Sequence, residues 1–372
     1  MRRIRIEGLT RRFGDTTALD DITLEVEPGE FFVVLGASGC GKSTLLRLIA
    51  GLDRPDAGRI VLGERTVADP SVFVEGEARG VGVVFQSYAL WPHMDVAAHA
   101  RFPLQVAGIR GAESERVVAE SLQAVGLTAL AARTPAELSG GQRQRFALAR
   151  CLAQRAGIIL MDEPLANLDP HLRTAMEGEL ARVQRDSGAT VLYITHDQRE
   201  AMALADRIAV LDAGRVRQVA SPQALYREPA DAVVAGFVGE GSLLAGRVAE
   251  RSGFRTGDTI DAGVEVAVGQ GSLLARAPDT LPSGEVRLLL RPEAVRLDGQ
   301  PGASGELHGR VRQSLFRGSH HDVHVQLEGG ETVVARSAAP GELQRPVVLQ
   351  VDDAWAMAAA RDPSPRAARH AS

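Results

Sequence analysis

The sequence predicts an α/β core followed by a smaller all-β domain of the barrel kind. Continuous apolar runs at 31–35, 158–161 and 191–194 are typical of strands buried on both faces, and stretches with helical spacing lie between them. Beyond about residue 239, glycine is frequent and short alternating segments prevail. The predicted divisions are a core domain at 1–236, a β domain at 237–357 and a frayed tail at 358–372.

The composition is that of a globular protein. With 372 residues the chain is long enough for about two domains of roughly 150 residues. Hydrophobic residues make up 45% and charged residues 24%, which argues against a disordered or fibrous chain. The formal net charge of −5 provides no basic balance for nucleic acid. Among the basic residues there are 41 arginines and a single lysine, Lys42.

The sequence contains no membrane-spanning or secretory pattern. No run of about 18 apolar residues occurs, and the charged N-terminus is not followed by the apolar stretch of a signal peptide. Two cysteines, Cys40 and Cys151, cannot build a disulfide framework or a zinc site alone. We therefore expect a cytoplasmic chain.

The core is expected to begin with short strands at 3–8 and 22–26, before the buried strand at 31–35. That strand leads into a glycine-rich loop and then into a helix over 42–50. Residues 87–152 are mostly helical in pattern, so we expect a helical subdomain at about 87–155, inserted between the early and late strands. Strands expected in the β domain are 286–290, 320–327, 333–336 and 347–351.

The loop at 36–44 has the sequence GASGCGKST and fits the pattern G-x-x-x-x-G-K-[ST] between a strand and a helix. Glycines let backbone N–H groups converge on phosphate oxygens, and the helix N-terminus adds roughly half a positive charge. Lys42 would reach the β- and γ-phosphates, while the Ser43 hydroxyl would bind Mg²⁺. A nucleoside triphosphate is the predicted ligand. The predicted binding residues of this loop are Gly36, Ser38, Gly39, Cys40, Gly41, Lys42, Ser43 and Thr44.

Two carboxylates, Asp162 and Glu163, end the buried strand at 158–161. In a phosphate-loop protein the first would order the Mg²⁺ shell, and the second would polarise a water molecule for attack on the γ-phosphate. By themselves two acids at a strand end are more often a helix cap or a solvated turn. The glycine-rich loop upstream favours the catalytic interpretation.

A second candidate anion site is the sequence Ser139, Gly140, Gly141 at the start of a helix. A simple helix N-cap is the alternative. Two anion sites for one nucleotide are explained if two chains share each nucleotide.

Together these motifs make the chain resemble the ATPase subunit of an ABC transporter over about residues 3–235. The resemblance implies ATP and Mg²⁺ as cofactors. It assigns Gln86 to the glutamine loop at the metal, Asp162 to Mg²⁺, Glu163 to catalysis and His196 to the switch histidine. Asp169 matches the dimer-contact loop, and Phe13 matches the aromatic that stacks on adenine, although an aromatic there also fits a core position.

The family resemblance implies a head-to-tail homodimer in which Lys42 of one copy and the Ser139 element of the other clamp each ATP. Two segments depart from the family pattern. Ala166 stands where the family often has Ser. Residues 95–100, Asp95 to Ala100, read DVAAHA where importers usually have Thr-Val-x-Glu-Asn-Val, in the region that docks on the permease. The second departure affects inference about the membrane partner and leaves the ATP chemistry untouched.

Two short motifs, at 290–293 and 316–319, resemble the C-terminal regulatory β domain of importer ATPases, which has an oligonucleotide-binding-like (OB-like) fold. On the same domain, His320, Asp322 and His324 alternate along a predicted strand and would share one face. A transition-metal site is one interpretation of these three residues. An exposed polar strand face is the commoner one.

Three functions are compatible with the motifs. The first is the ATPase of an importer, peripheral on the cytoplasmic face of the membrane, with two permease subunits and an external solute-binding protein. Its preferred solute is ferric iron, then phosphonate or polyamine, then sugar. The second is a soluble ABC ATPase that acts on nucleic acid or ribosomes, which the net charge and the single cassette disfavour. The third is a degraded regulator, which the retained Lys42, Asp162, Glu163 and His196 disfavour.

Overall fold

The computed structural model describes residues 2–154, 156–166, 168, 170–256, 259–269, 271–297 and 305–359. The chain packs as two compact units, Met1–Gln223 and Ala224–Ser372. The domain limits drawn from the sequence stay predictions. In the described part of the chain, no helix is both long and apolar enough to cross a membrane.

The N-terminal unit contains two β-sheets with helices around them. Its strands are β1 (Ile4–Phe13), β2 (Thr16–Val26), β3 (Phe31–Leu35), β4 (Ala57–Leu62), β5 (Arg65–Ala68), β6 (Gly82–Val84), β7 (Ile158–Asp162), β8 (Thr190–Thr195), β9 (Arg207–Asp212) and β10 (Arg215–Ala220). Its helices are α1 (Lys42–Ala50), α2 (Val96–Val106), α3 (Gly111–Ala124), α4 (Gly140–Ala153), α5 (Pro170–Ser187) and α6 (Gln198–Leu204), and α7 (Pro222–Arg227) contains the boundary between the units.

The larger sheet of this unit is mainly parallel. Its strand order is β10-β9-β3-β8-β7-β6, with only β10 antiparallel to its neighbour. Both β3 and β8 are buried at every residue, as their continuous apolar sequences predict. Because parallel strands end at the same edge, the residues that follow β3, β6, β7 and β8 are brought together.

The smaller sheet is antiparallel, in the order β2-β1-β4-β5, and shares one apolar core with the larger sheet. The strands predicted at 3–8 and 22–26 are longer than the sequence indicated, since β1 runs to Phe13 and β2 begins at Thr16. Bulges in the β1–β2 pairing break the regular alternation on which the sequence prediction relied.

The predicted helical insertion lies between β6 and β7. It consists of α2, α3 and α4, which pack on one another through buried residues such as Val96, Leu104, Leu122 and Phe146. The prediction of an α/β core with a helical insertion is confirmed.

Over its described residues, the C-terminal unit is all β apart from α7 residues, one short helix, α8 (Ala232–Phe237), and a 3₁₀ turn. Its strands are β11 (Ser242–Thr256), β12 (Thr259–Val268), β13 (Gly271–Arg276), β14 (Glu285–Leu290), β15 (Val295–Leu297), β16 (Glu306–Phe316), β17 (His321–Leu327), β18 (Thr332–Ser337), β19 (Pro346–Val351) and β20 (Trp355–Ala358). A closed barrel, β11-β12-β13-β20-β14, confirms the predicted barrel.

A second sheet in this unit, β15-β19-β16-β17-β18, was not foreseen as separate from the barrel. Both sheets contribute to one apolar cluster, which includes Leu244 and Leu288 from the barrel and Val323 and Leu349 from the other sheet. The tail predicted at 358–372 lies outside the described residues except for Ala358 and Ala359.

The structure supports neither interpretation of His320, Asp322 and His324 in full, since Asp322 is buried and the metal site, the less common interpretation, is not formed by these residues. Within the described residues, no group of three or more His, Cys, Asp and Glu side chains is placed to hold a metal ion. Asp322 is buried, and its carboxylate accepts a 2.7 Å hydrogen bond from Arg317 and lies 3.2 Å from His320 Nε2. The hydrogen bond from Arg317 holds the pKa of Asp322 below its usual value. Asp322 therefore neutralises an arginine, and the metal interpretation is wrong for this arrangement.

Candidate functional site

The glycine-rich loop joins the end of β3 to the start of α1. Gly39 and Gly41 have φ of 81° and 108°, in the left-handed region that favours glycine. A Cβ on Gly36 would lie 2.3 Å from the carbonyl oxygen of Leu211, and one on Gly41 would lie 2.5 Å from that of Ala18. The neighbouring strands thus fix the loop backbone, and α1 begins with no side-chain cap.

The C-terminal end of α1 is held by a buried cation that the sequence analysis missed. Arg79 is 2% exposed, and its guanidinium donates to the carbonyl oxygens of Leu48 and Ile49 at 2.7 and 2.9 Å. Burial lowers the pKa of Arg79 to about 10. Positive charge at the C-terminal end of a helix is stabilising, so Arg79 secures the helix that carries the loop.

Lys42, the single lysine, is buried at the first position of α1. Its Nζ donates to the carbonyl oxygens of Gly36 and Ala37 at 2.8 and 2.9 Å. The ammonium therefore lies inside the curve of the loop. Cys40 is buried beside it, and burial raises the pKa of the Cys40 thiol. Ser38 and Gly39 are exposed at the tip of the loop.

Ser43 and Asp162 meet at the edge of the large sheet. Ser43 Oγ donates to Asp162 Oδ1 at 3.2 Å, although the two residues are 119 positions apart in the chain. Burial raises the pKa of Asp162, and the hydrogen bond from Ser43 and the charge of Lys42 partly oppose that effect. A hydroxyl and a carboxylate are the oxygen donors that Mg²⁺ prefers, so this pair fits the predicted metal ligands.

Glu163 and His196 form the next pair along this edge. His196 Nδ1 lies 3.0 Å from Glu163 Oε2, and the Glu163 amide donates to the carbonyl oxygen of Ile194 at 3.0 Å. Glu163 has φ of 44°, which is unusual for a residue with a side chain. Such backbone strain is concentrated at functional sites.

A hydrogen-bond network behind His196 was not foreseen from the sequence. Buried Glu200 accepts hydrogen bonds of 2.7 Å from Tyr193 and from Thr195, and Asp197 pairs with Arg173 at 2.8 Å. These contacts fix the turn between β8 and α6 on both sides of His196. Asp197 followed three positions later by Glu200 is a helix-start pattern, and this signal was available in the sequence.

Gln86 is exposed two residues beyond β6, which pairs with β7 so that Val84 lies opposite Met161. This register places the segment that contains Gln86 at the same sheet edge as Asp162. Phe13 ends β1 and is 49% exposed, with the Arg11 guanidinium 4.6 Å from its ring centroid. The exposure excludes the core position that the sequence left open for Phe13.

Ser139, Gly140 and Gly141 begin α4. Ser139 Oγ accepts from the Gln142 amide at 3.4 Å, and Gln142 Oε1 accepts from the Ser139 amide at 2.8 Å, which is a capping box. A Cβ on Gly141 would lie 2.9 Å from Leu172 of α5. The side chain of Ser139 thus bonds within its own helix turn. The N-cap alternative is present in this structure, and it leaves a role in phosphate binding to be tested.

Three further residues named in the sequence analysis are Thr44, Asp169 and Ala166. Thr44 lies in the first turn of α1 and is half-buried. Asp169 lies outside the described residues. Ala166 follows the strained Glu163, and its amide donates to the Glu163 carbonyl oxygen at 3.3 Å.

The departure at 95–100 has a structural counterpart. Asp95 caps α2 by accepting from the Ala98 amide, and His99 is fully buried. His99 lies against Trp91, which is 37% exposed, together with Phe102 at 36%. His99 therefore replaces the amide of the usual pattern with an aromatic ring, and Ala98 stands where the carboxylate would be.

Comparison with known proteins adds independent findings. The sequence pattern of the ABC transporter family matches residues 19–166, and that of the TOBE domain matches residues 288–361. A solved structure described as the dimeric, post-hydrolysis state of the ATP-binding cassette MJ0796 bound to ADP and Pi is 31% identical. It has a TM-score of 0.51 and covers 59% of this chain and 98% of that one.

Curated relatives extend over nearly the whole chain. The spermidine/putrescine import ATP-binding protein PotA of Pseudomonas aeruginosa is 44% identical over 357 residues, 94% of each chain. The Fe(3+) ions import ATP-binding protein FbpC of Agrobacterium fabrum is 40% identical over 87% of this chain and 88% of its own. The trehalose/maltose import ATP-binding protein MalK of Thermococcus litoralis is 48% identical over 63% and 64%.

Proposed function

Since the chain belongs to the ATP-binding subunits of ABC importers, which hydrolyse ATP to power import, we propose that it works as a homodimer held by two permease subunits. One observation carries the ATPase part of this proposal. The residues predicted to bind and hydrolyse ATP lie together along one edge of the large sheet: Lys42, Ser43, Asp162, Glu163 and His196. In this arrangement each copy is peripheral on the cytoplasmic face of the membrane.

The phosphate loop and Lys42 bind the triphosphate of ATP. The loop amides and the N-terminus of α1 face the phosphate oxygens, and the Lys42 ammonium replaces its two carbonyl partners with the β- and γ-phosphates. Phe13 stacks on the adenine ring. Ser43, Asp162 and Gln86 hold Mg²⁺, which when bound neutralises charge that develops on the phosphate oxygens.

Glu163 acts as the general base for the attacking water, and His196 orients its carboxylate and supports the γ-phosphate. The left-handed backbone of Glu163 aims the carboxylate, and the network around Glu200 fixes His196. A positioned general base contributes roughly 10²- to 10⁴-fold to the rate.

The second copy completes each site with its Ser139, Gly140 and Gly141, and its Asp169 contacts the facing chain. The γ-phosphate then attracts the two copies, and its release lets them separate. The solved relative described as dimeric supports this arrangement. The helical insertion, with Trp91 and Phe102 exposed, docks on the permease, and an external solute-binding protein delivers the solute.

The preference for ferric iron, then phosphonate or polyamine, then sugar, stays a prediction from the sequence. Relatives of comparable identity have names that refer to spermidine and putrescine, to Fe(3+) and to trehalose and maltose, so their names do not choose between these solutes. Uptake of labelled putrescine, ferric iron and maltose by cells with and without the chain would choose between them.

Substitution of the general base tests the proposed function. We expect Glu163→Gln to bind Mg-ATP, to lose roughly 10²- to 10⁴-fold in turnover and to accumulate as an ATP-bound dimer. The measurements are phosphate release and light scattering after gel filtration. Wild-type turnover in this variant would contradict the role of Glu163, and salt-sensitive binding to nucleic acid in place of a membrane partner would favour the alternative soluble ATPase.

A further inference from the structure

The segment at 87–94 connects the Gln86 region to the helical insertion and has a strained backbone. Tyr88 and Ala89 have φ of 62° and 48°, although neither is glycine. Three contacts hold the segment from outside. Tyr88 Oη donates to the Pro164 carbonyl oxygen at 3.5 Å, Arg150 donates to the Ala89 carbonyl oxygen at 3.0 Å, and the Trp91 amide donates to His99 Nε2 at 2.8 Å.

The contact with His99 requires a neutral imidazole. A backbone N–H can only donate, so Nε2 of His99 must carry a lone pair where it meets Trp91. The other nitrogen, Nδ1, lies 3.2 Å from the Asp95 carbonyl oxygen, which can only accept. The two partners together fix the tautomer with the proton on Nδ1, and a second proton on Nε2 would point at the Trp91 N–H.

Aromatic contacts make the same histidine a support for Trp91. The Trp91 and His99 rings stack with centroids 5.2 Å apart and planes 17° apart, and the Phe146 ring packs nearly perpendicular to His99 with its centroid 4.7 Å away. Trp91 also contacts Phe102 at 4.8 Å. His99 is fully buried, whereas Trp91 and Phe102 present part of their rings to solvent. The histidine therefore sets where the exposed indole lies.

We propose that His99 is a positioning residue for permease docking. When neutral, His99 holds Trp91 and the segment 87–94 in place through its hydrogen bond with the Trp91 amide, and we call this contact the latch. When protonated, His99 releases Trp91 and the segment. The inference rests on the proposed function, in which the helical insertion, with Trp91 and Phe102 exposed, docks on the permease. Tyr88 of this segment donates to the carbonyl oxygen of Pro164, the residue after Glu163. Release of the segment therefore also affects the sheet edge that carries Glu163.

The charges around His99 set the direction of the pH dependence. Burial lowers the pKa of His99, the hydrogen bond with the Asp95 carbonyl raises it, and Arg150 of α4 and neighbouring His93 lower it. The charge of Asp95 raises the pKa slightly. On the α3 side, Glu115 is paired with Arg101 at 3.0 Å. In the released segment His99 has its usual pKa of about 6.5, so the latch is complete above that pH and weakens as the pH falls below it.

Tryptophan fluorescence measures the latch directly. In the full chain with Trp355→Phe, Trp91 is the only tryptophan. We expect its emission to move to longer wavelength when acidification protonates His99, a step that burial shifts to a pH below the usual range of a histidine because it lowers the pKa. His99→Gln keeps an acceptor near the Nε2 position without titrating, so its emission should be constant over this range. His99→Phe keeps the ring and loses the acceptor, so it should show the red-shifted emission already at pH 8. The matched control His308→Gln, which replaces an exposed histidine of the C-terminal unit, should titrate like the parent.

Two results would overturn the latch. One is a change of emission with pH in His99→Gln that matches the change in the parent. The other is an emission that is constant with pH in the parent together with no red shift in His99→Phe. A second measurement follows solute-dependent ATP hydrolysis in vesicles that contain the chain and its permease subunits. It should fall on acidification in the parent and less in His99→Gln, and equal losses would overturn the role in docking. If the chain assembles with no permease at any pH, the proposed function fails, whereas the fluorescence result still decides on the latch.

Discussion

Two helices in the N-terminal unit begin at residues predicted to bind the same phosphate, yet their first turns are built differently. Helix α1 follows Gly41 in a left-handed conformation and has no side-chain cap. Helix α4 follows Ser139, whose hydroxyl and amide are both engaged in a capping box with Gln142. One helix start has no side-chain cap, whereas the other is capped by a side chain of its own chain.

The difference indicates that, in the proposed dimer, the two helix starts bind ATP one after the other. The loop before α1 is fixed by surrounding strands, so it can bind ATP within one chain. The start of α4 is capped within its own chain, but the Ser139 hydroxyl accepts in that cap and can still donate its own O–H to a phosphate. In the proposed dimer it becomes a binding element when a second chain brings ATP to it. The two carboxylates at the end of β7 carry a stability cost, because Glu163 is strained and Asp162 is partly buried, whereas the start of α4 contributes stability through its cap.

The largest expected effect comes from breaking the first helix start. Lys42→Ala removes the only ammonium in the loop, and hydrogen bonds to a charged group are worth roughly 1.5–3 kcal/mol. We expect ATP affinity to fall by roughly 10- to 150-fold, as measured by calorimetry. Arg5→Ala removes the same charge from an exposed position on β1 and should leave ATP affinity unchanged. Equal losses in both variants would refute the assignment.

A smaller effect is expected at the second start, where two variants separate stability from binding. Ser139→Ala removes the cap and should lower the free energy of unfolding by roughly 0.5–2 kcal/mol, measured in urea. Ser139→Asp retains a capping oxygen but places a negative charge toward the phosphate, so it should keep wild-type stability and lose the ATP-dependent dimer. If Ser139→Asp dimerises with ATP as the wild type does, the phosphate role of Ser139 is wrong.

The smallest effect sharpens the contrast in stability. Burial raises the pKa of Asp162, so the charge of this carboxylate costs stability in the folded, unliganded chain above the pKa that it has when unfolded. Asp162→Asn removes that charge and should raise the melting temperature without nucleotide, opposite in sign to Ser139→Ala. Mg-dependent hydrolysis should be lost in the same variant. A lower melting temperature in Asp162→Asn would contradict the stability cost assigned to the partly buried Asp162.

The sequence predicted the parts of the site that depend on local pattern. A strand, a glycine-rich loop and a helix are adjacent in the chain, so local pattern predicted Lys42, and two acids at the end of a buried strand predicted Asp162 and Glu163. His196 was predicted only through the resemblance to the ABC ATPase family. The left-handed backbone of Glu163 and the burial of Arg79 depend on contacts between distant residues, which periodicity does not report.

The β domain shows the same limit. Alternation placed His320, Asp322 and His324 on a common face, but only the structure shows that Asp322 is buried against Arg317. Alternating patterns also predict short strands but not which strands pair with each other. The sequence analysis therefore predicted a barrel and missed the second sheet. At 95–100 the sequence identified a departure from the family pattern, and the stacking of His99 on Trp91 gives that departure a physical meaning.

Mixing two inactive chains tests the central claim that one ATP is shared by two helix starts from two copies. Both chains carry Glu163→Gln; one also carries Lys42→Ala, and the other also carries Ser139→Asp. In a head-to-tail pair, the intact Lys42 and the intact Ser139 meet at one of the two sites. We expect each chain alone to stay monomeric with Mg-ATP and the mixture to form a dimer with one ATP, measured by light scattering and bound nucleotide. Dimers of either chain alone, or a mixture that stays monomeric, would contradict the shared site.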